Sequence, residues 1–199
     1  MRLTLIARSA LLALLCAPSV ASAQLMPPAL DIAEGACPFE CCTYGRWEVT
    51  RAVRLRSAPD STAAVVGTVQ GGDVVVAETG EVHTPPVPFL VKQPLTMDFG
   101  AVALQPGDTI WVLDYQGEGF FNTWVDGRRV SESLGFSPYG GTYGRRCESC
   151  PHGELLSDLA SVWWVRVRTG SGVLGWTSES DAFTGSDACG CGGGGLGVP

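Results

Sequence analysis

Cys147, Cys150 and His152 fall within the six residues "CESCPH", a spacing suited to gripping zinc, exchanging electrons or closing a disulfide. Tetrahedral zinc takes cysteine and histidine at such intervals, and Cys41 or Cys42 could complete the set. A second Cys-x-x-Cys half is missing, and no βαβ pattern surrounds the pair as a thioredoxin-like role requires. A small loop closed by a local bridge between Cys147 and Cys150 is the simpler reading. In an oxidising compartment Cys37, Cys41, Cys42, Cys147, Cys150, Cys189 and Cys191 are all disulfide candidates. Cys16, the eighth, lies in the apolar N-terminal run; the seven others are an odd number, so at least one is free or pairs between chains, and spacing does not fix the connectivity. "ACPFECC" and "DACGC" bracket the region between them. A bond from Cys37, Cys41 or Cys42 to Cys189 or Cys191 would staple its ends, contributing about 4–5 kcal/mol by the chain-entropy estimate.

Other chemistry has fewer supports. A nucleophilic enzyme needs a base within reach of its Cys or Ser, and the chain has two histidines, His83 and His152. Paired carboxylates could hydrolyse glycosides; the nearest pairs are Asp114 with Glu118 and Glu78 with Glu81. Each sits at an expected strand end or turn, where acids are ordinarily solvated. No catalytic residue, metal or cofactor is assigned. The aromatic run "WVLDYQGEGFFNTWVDGRR" is more suggestive of binding. Flat rings stack on sugars or peptides at little entropic cost, and Tyr115, Phe120 and Trp124 are the candidates there. Tyr139 and Tyr143, in a glycine-rich loop beside Arg145 and Arg146, extend the set.

These residues need elements to position them. The chain opens with Arg2 and Arg8, an apolar run and Ala21-Ser22-Ala23, the pattern of a secretory leader over residues 1–23. Without it 176 of the 199 residues remain, with eleven basic residues against 20 acidic, a net of −9. That acidity, with arginines dispersed along the sequence, argues against nucleic acid. No later run is apolar enough to span a bilayer. A periplasmic or secreted protein is expected. Residues 24–36 read as a linker and 192–199, "GGGGLGVP", as a disordered tail.

Between them, valine-rich segments punctuated by glycine and proline predict strands near 46–51, 53–56, 64–69, 73–79, 87–92, 108–115, 119–125, 161–168 and 173–178. "GELLSDLAS" predicts a short helix near 153–161. In "WWVRVRTGSGVLGW", Val165 and Val167 alternate with Trp164, Arg166 and Arg168 around a glycine turn. An isolated hairpin is marginal in water, so it must join a larger sheet. "VQGGDVVVAETGEV" also aligns with "LQPGDTIWVLDYQGEG" at an offset of 35, the later Gly-Glu matching after a two-residue insertion.

"AVRLRSAPDSTAAVVGTVQGGDVVVAETG" at 52–80 resembles the opening of bacterial SH3-like (SH3b) domains, and "WWVRVRTGSGVLGW" resembles their close. The resemblance implies an all-β protein of small SH3-like barrels, one elaborated or two interleaved, over residues 37–191. A first unit at 46–80 would be completed by 161–180, with a second inserted at about 81–160. The long interruption and the terminal cysteine clusters depart from the family pattern. The resemblance also implies an exported, non-catalytic module that binds cell-wall glycan or peptide, or an envelope protein. A small envelope hydrolase and a zinc-stabilised or redox cysteine protein are the alternatives.

Overall fold

The late hairpin finds its partners in the first half of the chain. A computed structural model describes residues 26–39, 41–138 and 150–188. Its first sheet contains β1 (Asp31–Glu34), β2 (Gly45–Val49), β3 (Val53–Arg56), β4 (Val65–Val69) and β5 (Val74–Thr84). Later strands complete it: β13 (Val162–Thr169), β14 (Leu174–Thr177) and β15 (Phe183–Thr184). The order is β15-β2-β5-β13-β14-β3-β4, with β1 continuing the β2 side of the long strand β5. The sheet curls into a half-barrel. Alternation explains why: Trp47, Val49, Val53, Leu55, Val165 and Val167 are buried on the concave side, while their neighbours face out. Trp47, fully buried, meets Trp163, Phe183 and Tyr44 in one aromatic cluster.

Residues between β5 and β13 build a second core. The strands are β6 (Val87–Val91), β7 (Leu95–Met97), β8 (Val102–Leu104), β9 (Thr109–Gly117), β10 (Phe120–Val125), β11 (Arg128–Ser133) and β12 (Gly153–Leu155). Five form a sheet in the order β11-β10-β9-β6-β12, and among the described residues β7 pairs with β8 alone. Phe89, Val112, Phe121 and Leu134 are at the centre of this separate cluster, each fully buried. Its ends meet where it leaves and rejoins the first sheet: the Thr84 and Ser161 hydroxyls are 2.7 Å apart.

The two sheets correspond strand by strand. β12-β6-β9-β10-β11 runs in the same order as β15-β2-β5-β13-β14, and hairpin β7–β8 falls at the point of the chain order where β3–β4 does, but forms a sheet of its own where β3 joins β14. The repeated Gln-x-Gly-Asp segments make the same turn. Asp73 accepts from the Gln70 amide at 2.7 Å, and Gly72 donates to Val49. Asp108 accepts from Gln105 at 2.7 Å, and Gly107 donates to Val91. Both glycines need positive φ, +91° and +100°, which only glycine adopts without cost.

Two expectations are corrected. Residues 153–161 form no helix: Gly153–Leu155 is β12, paired with β6, and the rest is irregular. Nine residues are too few to nucleate a helix without tertiary help. Here Leu155 is buried and Leu156 half exposed, a strand's alternation, and a Cβ at Gly153 would lie 2.1 Å from the Leu90 carbonyl oxygen. Nor is 24–36 a free connector, because Asp31–Glu34 is β1, in register with Thr84–Glu81 of β5. The leader and the glycine tail lie outside the described residues. Among those residues no helix is long and apolar enough to cross a membrane.

Candidate functional site

On the outer face of the second sheet, Trp111 of β9 and Trp124 of β10 are cross-strand partners. Both are half-buried. They follow from the strand period: Phe121, Thr123 and Val125 point into the core, so Asn122 and Trp124 point away from it. The β8 segment Ala101–Leu104 and the acids Asp108 and Asp126 complete a groove of about 280 Å³. Indole faces beside carboxylates can stack on sugar or peptide groups and accept their hydrogen bonds. At the tip of the adjoining hairpin Phe99 is fully exposed, and Arg128 holds the neighbouring Asp98 at 2.7 Å.

The same face carries a buried polar cluster. A bulge between Phe121 and Thr123 shifts the β9–β10 register, so Asp114 leaves the apolar side that Ile110 and Val112 occupy. Its carboxylate accepts from Asn122 at 3.0 Å, from Gln116, and from Arg129 at 3.2 Å. Arg129, the register partner of Trp124, also binds Asp31 of β1. Asp31 and Asp114 are almost wholly buried, at 5% and 3% exposure. Burial raises the Asp114 pKa above its ordinary 3.8; Asn122 and Arg129 oppose the rise, and the neighbouring Asp31 adds to it. A protonated Asp114 can donate to Asp31, whose second oxygen is buried with no other donor among the described residues. One guanidinium thereby ties two carboxyls and pins β1 to the second sheet.

The candidate rings separate accordingly. Trp124 lines the groove and Phe120 is 44% exposed. Tyr115 turns inward through the bulge, packs on Phe121 at 5.0 Å, and accepts from the Gly119 amide at 3.2 Å. It buttresses the Glu118–Gly119 turn. Tyr139 and Tyr143 lie outside the described residues. Trp111, not among the rings proposed from sequence, joins the groove; its register opposite Trp124 was not visible without the pairing. Asp31 was missed because it lay in the supposed linker.

The acid pairs considered from sequence come apart. Glu118 sits exposed in its turn while Asp114 is buried with Asp31. Glu78 binds Arg166 and Arg168, and Glu81 binds His83 at 2.8 Å. Cys37 and Cys42 are bonded to each other, which removes them from any staple to the far end. Cys41 and Cys150 each take part in a disulfide of their own, so Cys150 is not a thiolate for zinc. Cys147, Cys189 and Cys191 lie outside the described residues. Backbone pairing nevertheless joins the two ends: Cys42 bridges Asp187, and the Ala188 amide donates to Cys41 at 2.8 Å.

Compared with known proteins, the chain matches no family model, no curated protein and no solved structure.

Proposed function

We propose that this chain is an exported, non-catalytic binding protein built on two SH3-like units, the second inserted into the first. It attaches to envelope polymers, peptidoglycan glycan or its peptide stems, or to an envelope protein. The paired strand orders and the late hairpin's place beside β5 and β3 support the SH3-like reading. The observation that carries binding is the Trp111–Trp124 groove, a concave aromatic surface rimmed by Asp108 and Asp126. Aromatic faces engage such ligands through area and stacking, with no covalent step. Co-sedimentation with purified sacculi tests it. The wild-type protein should pellet with the wall, and Trp111→Ala with Trp124→Ala should stay in the supernatant while retaining a cooperative melt. Equal pelleting of both proteins would refute the groove as the binding surface.

A further inference from the structure

The arginines that look dispersed in the sequence gather on one face. In β3 Arg54 and Arg56 alternate with the buried Val53 and Leu55, and in β13 Arg166 and Arg168 alternate with Val165 and Val167. Strand period alone therefore sends all four to the convex side. Arg46 of β2 joins them by the same alternation against Trp47. Cross-strand register aligns these residues in two rows. One runs Arg46, Val76, Arg168, Leu174, and the other Arg166, Trp176, Arg56, Val65.

The charge is only partly answered. Glu78 takes both Arg166 and Arg168, while Glu48 and Glu81, the latter bound to His83, are the other outward acids of these strands. Five guanidinium groups against three carboxylates still leave this face positive on a chain whose formal net charge is −7. Arg46 and Arg54 are exposed and make no ion pair among the described residues. Between the arginines lie Val76, Leu174 and Val65, 47%, 42% and 49% exposed, and Arg166 stacks on Trp176 at 5.8 Å. Exposed aliphatics interleaved with arginine and tryptophan have the composition of a protein interface.

We infer that the convex face of the first sheet docks an acidic segment of a protein partner, independently of the tryptophan groove. Guanidinium forks pair with carboxylates bidentately, and the half-exposed aliphatics between them need apolar side chains on the other side. A charged glycan offers carboxylates without those side chains. Half-covered valines on a sheet surface also lack the protruding wedge that a lipid surface takes up.

The test uses the full chain and a labelled peptide repeating Glu-Leu-Glu-Ser, read by fluorescence anisotropy. Binding is expected, weakening as salt rises. Arg46→Glu, Arg54→Glu and Arg56→Glu together should weaken it about tenfold or more, with melting lowered only by loss of the Arg56 hydrogen bond to the Ala63 carbonyl. Arg46→Glu alone, at an exposed position, should weaken it by a smaller factor and serves if the triple variant does not fold. Absence of peptide binding at low salt, or binding indifferent to these charge reversals, would overturn the inference. So would retention on phosphatidylglycerol vesicles in place of the peptide. A dimer at low salt that the triple variant abolishes would assign the face to a second copy instead.

Discussion

Removing Arg129 should cost most at neutral pH and least in acid. Its guanidinium faces Asp114 at 3.2 Å and also binds Asp31, and the two carboxyl side chains are only 4% and 6% exposed. Breaking one side of a buried charge pair costs about 3–5 kcal/mol. Arg129 itself is 37% exposed, so solvent screening lowers this to about 2–3 kcal/mol for Arg129→Ala. The sign with pH follows from Asp114, whose pKa burial raises above 3.8. A carboxyl with a raised folded pKa holds its proton more tightly in the native state. Its favourable contribution is present at low pH and is lost as pH rises through the folded value. Without Arg129 that loss deepens, because two carboxylates then face each other. Urea unfolding followed by tryptophan fluorescence should show a cost of about 2–3 kcal/mol at pH 7 that shrinks as the pH is lowered. Adding Asp114→Asn to Arg129→Ala should recover at least about 1 kcal/mol at pH 7 by removing one of the two like charges. A cost that does not vary with pH, or no recovery in the double variant, would refute the cluster as a charge-coupled tie.

Gly80→Ala should destabilise by about 1–3 kcal/mol in urea titrations. Its Cβ would lie 2.4 Å from the Trp163 indole nitrogen and 2.6 Å from the Tyr44 hydroxyl; an unchanged midpoint would show that these rings yield freely. Replacing Cys37 and Cys42 with serine opens a ring whose ends are five positions apart, worth about 2 kcal/mol by loop entropy. Thermal melts read that loss, and a shift several times larger would mean the bridge also shapes the fold.

Strands whose alternation is strong were legible before any coordinates. Val53 and Leu55, or Val165 and Val167, declare their buried face by type and spacing, and the glycine turn after Thr169 declares the hairpin. The matching Gln70–Asp73 and Gln105–Asp108 turns were also visible as a repeat. Short strands were not. β11, "RRVSES", contains one apolar residue, and β7, β8 and β12 have three residues each, too few for a period. Their structure comes from partners, not from local preference. The site suffered for the same reason. A single bulge between Phe121 and Thr123 moves Asp114 and Tyr115 to faces that simple alternation does not give them. Asp31 meets Asp114 through tertiary pairing that no local window contains.

Excising the inserted unit tests the architecture most directly. Thr84 and Ser161 touch, and His83 pairs with Val162, so an Asn-Gly turn in place of residues 85–160 would join β5 to β13 as a plain hairpin. The shortened chain keeps the whole Trp47 cluster and should unfold cooperatively in urea with the near-ultraviolet dichroism of fixed tryptophans. A shortened chain with strand content but no fixed aromatic signal and no cooperative transition would contradict two cores of independent integrity.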